Sequence, residues 1–347
     1  MESTLLVASA GLGTFVTMLV LRPLAKMIGL MDIPDERKLH THKVPLVGGI
    51  AIYLVFVVLA LIFLSQHEAT TYFLLSATMI VLLGAVDDYA DLNSRFRLLA
   101  QMAIASILVY GTDFALESLG NLFWFGDIHL GWLAIPFTLI ATAGTINALN
   151  MVDGIDGLAG TLGLVCLSAI AGLCILNGDT VTSSFALILS GSVLVYLLFN
   201  AGPLSKKQKV FMGDAGSMLL GLAIVWLLAM GSQSDNPSFR PVTALWFVAV
   251  PLIDMFLVMH RRIRKGQSPL KADRDHLHHI FMRMGYSSKQ ALLMITCIAI
   301  FYASFGIIGE VLNFPEYVMF GLFLGLIVAY DYAFIHVWKV IRIVRAR

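Results

Sequence analysis

The 347 residues are 59% hydrophobic and 13% charged, against roughly a quarter charged in ordinary globular domains. With a formal net charge of +1 and a mean hydropathy of +0.85, the chain lacks both the basic excess of a nucleic-acid binder and the polar surface of a water-soluble domain. It reads as an all-α polytopic membrane protein whose partner is the lipid bilayer and not nucleic acid.

Apolar runs recur at 5–21, 47–64, 72–86, 98–110, 130–146, 158–176, 184–199, 215–230, 244–259, 291–309 and 318–337. Several are shorter than the ~20 residues that span hydrocarbon, but flanking Tyr, Trp, Gly and Ser complete them. About eleven transmembrane helices are expected. The first run has no basic residues before it and carries Arg22 and Lys26 after it, so it reads as an uncleaved helix and not a secretory signal.

The loop after this run holds Asp32, Lys38, His40 and Lys43 before Gly48-Gly49. Glycines at a helix entrance let backbone amides approach an anion; the plainer reading is a basic loop and a glycine contact between helices. The run 72–86 ends in Asp87-Asp88-x-x-Asp91, a spacing that can hold Mg²⁺ against a diphosphate, or simply a solvated helix end. A short hairpin or interfacial turn is expected over 117–129.

Asn147, Asn150, Asp153 and Asp156 follow at intervals of three, with glycines after both aspartates. On a helical stretch they would share one side and could bind a cation or a nucleoside, unless they serve only as turn caps. Asp214 stands between glycines in Phe211-Met-Gly-Asp-Ala-Gly-Ser217 just before another apolar run, where it could be a helix N-cap. The last polar loop carries Arg274, His276, His278 and His279. Its imidazoles invite a zinc reading, but the carboxylates elsewhere suit a hard cation, and alternating His, Arg and Asp fits phosphate contact better. Asp254 and Asp331 fall within apolar runs and receive no function. Cys166, Cys174 and Cys297 lie in apolar runs without metal-ligand spacing and receive packing roles.

Placed on these spans, all but one of the 23 Lys and Arg fall in loops on a single side, Arg240 being the exception. Since basic loops stay cytoplasmic, the N-terminus is expected outside, in the periplasm, and the C-terminus in the cytoplasm, with all the acidic loops on the inner face. No linker or soluble insert interrupts the chain, so 1–347 reads as a single integral-membrane domain.

Five motifs in order carry a resemblance: Asp32-x-Pro34-x-x-Arg37-Lys38-x-His40 with Pro45-x-x-Gly48-Gly49; Asp87-Asp88-x-x-Asp91; Asn147-x-x-Asn150-x-x-Asp153-Gly-Ile-Asp156-Gly; Phe211-x-Gly-Asp214-x-Gly-Ser217; and Asp273-Arg274-x-His276-x-His278-His279. Together they resemble the polyprenyl-phosphate N-acetylhexosamine-1-phosphate transferase superfamily and, within it, the WecA-type branch. The phospho-MurNAc-pentapeptide branch typically carries three consecutive histidines where this chain has His276-Leu-His278-His279. The dolichyl-phosphate branch typically has Asn at the position of Asp156.

The resemblance implies transfer of N-acetylglucosamine-1-phosphate from UDP-GlcNAc to undecaprenyl phosphate, or the same reaction with another UDP-N-acetylhexosamine, at the cytoplasmic face of a bacterial inner membrane. It implies Mg²⁺, with Mn²⁺ as the alternative, held by Asp214, Asn150, Asp87 and Asp88. Catalytic roles pass to Asp87, Asp88, Asp153, Asp156, Asp214 and His276. Substrate contacts pass to Asp32, Lys38, Lys43, Asp91, Asn147, Asn150, Arg274, His278 and His279. A covalent aspartyl-phosphate route and a homo-oligomer stay open. Three other classes compete. A prenyltransferase would want a second Asp-rich helix, a CDP-alcohol phosphotransferase would want Arg where Gly160 stands and two further Asp where no acid follows until Asp179, and a transporter would want its charges at mid-span.

Overall fold

All eleven apolar runs fold as helix, the form in which a single segment satisfies its own backbone in hydrocarbon. The computed structural model describes residues 2–32, 43–269 and 276–345, with the backbone alone over 334–345. In chain order the helices are α1 (Glu2–Ile28), α2 (Gly48–Phe63), α3 (Glu68–Ala90), α4 (Ser94–Thr112), α5 (Ala134–Val152), α6 (Leu158–Leu176), α7 (Thr180–Asn200), the short α8 (Ser205–Gln208), α9 (Gly213–Gln233), α10 (Pro241–Phe247), α11 (Ala249–Arg264), the short α12 (Leu277–Arg283), α13 (Ser288–Val311) and α14 (Glu316–Arg345).

Among the described residues, eight helices are long and apolar enough to cross a bilayer, or nine if α10 and α11 form one broken span bent by 79°. The other two apolar runs lie on α2, only 16 residues long, and on α4, whose first turn carries Arg95 and Arg97. The sequence expected one continuous span at 244–259. Instead α10 opens on Pro241 and the chain turns sharply at Val248, and the start of α10 is tied by Arg240 to Glu310 of α13 and to the carbonyls of Gly309 and Phe314.

The centre of the bundle is α9, buried along its whole membrane-length window and packed by α2, α3, α5, α6 and α7. An apolar helix with no polar stripe belongs in such a position. Small residues set how closely it is approached. A Cβ on Gly49 of α2 would stand 2.2 Å from the backbone of Gly216, and one on Gly84 of α3 would stand 2.4 Å from that of Ala215. Three helix backbones therefore meet where α9 begins, a small-residue packing common between membrane helices.

Two short features frame this bundle. Met31–Asp32 pairs antiparallel with Val44–Pro45, and Phe211 N–H donates to Pro45 carbonyl, which ties the ladder to the segment entering α9. At the opposite end Ser118 bridges His129 and Leu119 N–H donates to Ile128 carbonyl, the hairpin expected over 117–129.

Candidate active site

The α9 N-terminus leaves first-turn amides without partners inside the helix, and its N-cap residue Met212 supplies no side-chain acceptor. Asp88 reaches across from α3 and supplies one: its Oδ1 accepts from Asp214 N–H at 2.8 Å and its Oδ2 from Ala215 N–H at 3.4 Å. Gly213 makes room for this, since it has φ +70° and a Cβ there would stand 2.5 Å from Asp88 Oδ2. Asp214 is a candidate cap by sequence, but the capping carboxylate comes from a different helix.

The neighbouring Asp87 is buried and doubly held, its Oδ1 accepting from Leu92 N–H at 2.9 Å and its Oδ2 from Arg97 at 2.5 Å. The same guanidinium nitrogen lies 3.6 Å from Asp214 Oδ2, so Arg97 bridges two of the acidic motifs. Asp214 Oδ1 accepts from Asn150 Nδ2 at 2.8 Å, and that amide also donates to Ser217 Oγ at 3.0 Å. Asp87, Asp88, Asn150 and Asp214 thus form one cluster. In the sequence Arg97 counts only as one of the one-sided loop charges; its place in the first turn after the acidic motif is the signal that points to it.

The cluster holds three carboxylates and a single guanidinium, an excess of negative charge that a divalent cation would offset. Among the described residues, no three His, Cys, Asp or Glu side chains already surround one point as a closed metal cage. An all-oxygen set of this kind fits Mg²⁺, which keeps waters and substrate phosphates in its shell and needs only one or two protein carboxylates.

The loop after α5 brings the next motif against the last one. Asn147 donates to Gln101 Oε1 at 2.6 Å and to its own helix, which fixes its orientation. A Cβ on Gly154 would stand 2.2 Å from His278 Nε2, so the imidazole lies directly on that glycine. His278 is buried, and burial together with the charges of His279 and His276 pushes its pKa down to about 3. It is therefore a neutral ring, not a cation for phosphate. Although solvent reaches Asp153, crowding by the surrounding protein and the charges of Asp88 and Asp156 push its carboxyl up to about 7. Asp156 pairs with Lys209 at 2.6 Å, and Lys209 also stands over the Phe211 ring. His276 Nδ1 lies 2.7 Å from Asp254 Oδ2, both side chains buried.

The remaining candidates are scattered. Asp32 sits on the two-residue ladder, with exposed Lys43 just before its second strand. Asp91 caps α3 in the left-handed region with φ +50° and is exposed. Lys38 and Arg274 lie outside the described residues. The amides of Gly48 and Gly49 are not free for an anion: they donate to the carbonyls of Phe211 and Met212, both at 2.9 Å. The glycine pair serves helix contact.

From this cluster an apolar cavity of about 1170 Å³ opens between α4, α5, α9 and the bent pair α10–α11. Its polar end is lined by Arg97, Asn147, Asn150, His276, His278 and His279, and its far end by leucines such as Leu119. Along α5 it extends from Phe137 to Asn150, about 20 Å at the helical rise. A bundle with a polar, acidic site at the head of a long apolar cavity is built for a substrate with a charged head and a hydrocarbon tail.

Residues 70–232 match the family described as Glycosyl transferase family 4. Over longer stretches the chain is similar to undecaprenyl-phosphate alpha-N-acetylglucosaminyl 1-phosphate transferases: 39% identical to that of Escherichia coli (strain K12), covering 93% of this chain and 89% of the relative, and 41% identical to that of Haemophilus influenzae, covering 96% and 94%. The relative from Salmonella typhi is 40% identical, with 96% and 91% covered. The chain belongs to the family of undecaprenyl-phosphate alpha-N-acetylglucosaminyl 1-phosphate transferases.

Proposed function

We propose that the chain transfers N-acetylglucosamine-1-phosphate from UDP-GlcNAc to undecaprenyl phosphate, forming undecaprenyl-diphosphate-GlcNAc and UMP, the initiating step of a cell-surface polysaccharide such as lipopolysaccharide O-antigen. A phosphate oxygen of the lipid attacks the β-phosphorus, the bond from that phosphorus to the α-phosphate oxygen breaks, and UMP leaves. The observation that carries this reading is the apolar cavity of about 1170 Å³ whose polar end meets Asn150 and Arg97, because it offers one site to a prenyl tail and to phosphates.

A phosphate monoester has its second pKa near ~6 and is mostly dianionic at neutral pH, so the attacking lipid needs no general base. Asp87, pinned by Arg97 and Leu92, therefore orients and balances charge and does not take a proton. Asp88 holds Asp214 in place through the α9 amides. His276 and His279 line the cavity where phosphates would lie, and Asp153 and Asp156 stand on the same loop for the nucleotide. Asp87, Asp88, Asn150 and Asp214 would hold Mg²⁺, with Mn²⁺ as the alternative; once bound it would supply charge neutralisation across the diphosphate.

All eleven apolar runs cross the membrane in this account, with the N-terminus periplasmic, the C-terminus cytoplasmic and the site at the cytoplasmic face of a bacterial inner membrane. The one-sided Lys and Arg support it. So does the packing of α4 between α3 and α5, and of α2 against α1, α3, α7 and α9. The reading is tested by measuring UMP release with undecaprenyl phosphate and with a short water-soluble alkyl phosphate. The lipid should give rapid release and the short acceptor little; equal rates would remove the role assigned to the cavity.

A further inference from the structure

Asp254 belongs to none of the motifs that carry the resemblance, and its position in the middle of an apolar run left it without a role. Its carboxylate is only 2% exposed on α11, in the bent pair that walls the cavity. An ionisable side chain buried in a membrane protein is costly unless it is paired, and it marks function more often than packing. Asp254 is paired twice: Oδ1 accepts from Leu277 N–H at 2.9 Å, and Oδ2 lies 2.7 Å from His276 Nδ1. An oxygen that faces Nδ1 on a carboxylate already accepting elsewhere leaves the ring proton on Nδ1. The hydrogen bond at one imidazole nitrogen decides what the other presents, and His276 lines the polar end of the cavity.

We propose that Asp254 is a positioning residue for the transfer, acting through His276: it orients the imidazole and keeps a proton on Nδ1, so that Nε2 faces the phosphate being transferred and, once it also carries a proton, donates to it. In its imidazolium form His276 donates from both nitrogens, one to Asp254 and one to a phosphate oxygen. The inference rests on the transferase reading for its substrate. The pairing itself does not depend on it.

The rival role for Asp254 is structural, since its contact with Leu277 N–H also pins the start of α12 to α11. Variants separate the two. In Asp254→Asn the Leu277 amide claims the side-chain oxygen, so the amide NH₂ faces Nδ1 and the ring proton must move to Nε2. The charge and tautomer are lost while the shape and the α12 contact remain.

The test measures kcat and KM for Asp254→Asn, Asp254→Ala, His276→Ala and the double variant Asp254→Ala/His276→Ala in the full chain, beside nitrogen-15 histidine spectra of wild type and Asp254→Asn. We expect Asp254→Asn to keep the thermal midpoint and lose kcat on the order of 100-fold, with KM for UDP-GlcNAc little changed. The double variant should be no slower than His276→Ala alone. The His276 signals should show the proton on Nδ1 in wild type and on Nε2 in Asp254→Asn. Losses that multiply in the double variant, or full kcat in Asp254→Asn or His276→Ala, would overturn the proposal. Failure of the wild type to use any UDP-hexosamine would instead remove the transferase reading, and the spectra would still decide whether Asp254 sets the tautomer.

Discussion

The carboxylate of Asp88 accepts from the backbone N–H of Asp214 across 2.8 Å. One acidic motif therefore caps the helix that carries another, and the two cannot move independently. Replacing Asp88 by Ala leaves the α9 amides without an acceptor and should cost about 1 kcal/mol, seen as a lower thermal midpoint. Asp88→Asn keeps an acceptor oxygen but not the charge, so it should retain the midpoint while losing activity. A midpoint that falls equally in both variants would deny the cap.

Arg97 stands 2.5 Å from buried Asp87 and 3.6 Å from Asp214. Removing one member of a buried pair strands the other, at a cost of about 3 kcal/mol. Arg97→Ala should therefore be strongly destabilised, and the double variant Asp87→Ala/Arg97→Ala should recover much of the loss because no charge is left buried alone. Unfolding midpoints of the three proteins in one detergent measure this directly. Arg97→Lys should retain part of the stability but little activity, since a compact ammonium lacks the planar, rigid donor fork of the guanidinium.

Gly154 lies under His278, with 2.2 Å between an added Cβ and Nε2. Gly154→Ala must push the imidazole off the loop that carries Asp153 and Asp156, and should lower kcat at least tenfold. Shrinking the ring relieves the clash, so Gly154→Ala/His278→Ala should be no less stable than His278→Ala. A fully active Gly154→Ala enzyme would remove this contact from the site.

Asp153, with its carboxyl pushed up to about 7, is mostly protonated below that pH and ionised above it. If its ionised form holds the nucleotide, kcat/KM should rise as pH climbs through about 7 and level off beyond. In Asp153→Asn this limb should disappear, leaving the shallower limb near ~6 that belongs to the lipid phosphate. An unchanged profile in the variant would assign the limb to another group.

Much of this architecture is legible in the chain because crossing hydrocarbon demands apolar helical lengths: each apolar run is a helix, and a hairpin stands over 117–129 where a hairpin or interfacial turn is expected. The break at Val248 is less legible, since an apolar run reads the same whether straight or bent by 79°. At the site, the motifs name Asp87, Asp88, Asn150 and Asp214, which the fold brings into one cluster, but not the contacts that each makes. Whether Gly48 and Gly49 bind an anion or a carbonyl depends on Phe211 and Met212, more than 160 residues away. The roles of Lys209 and Asp254 are hidden for the same reason: each is defined by a partner from a distant part of the chain or another motif, and local pattern carries no trace of it.

A sugar phosphate, not a bare sugar, should move to the lipid. The direct measurement is to supply the purified protein with undecaprenyl phosphate and UDP-GlcNAc carrying radiophosphorus in the β-phosphate, then separate the lipid from the nucleotides. The label should enter the lipid in step with release of unlabelled UMP. Label left in UDP would contradict it by showing plain glycosyl transfer, and no lipid product from UDP-GlcNAc or any other UDP-N-acetylhexosamine would contradict it altogether.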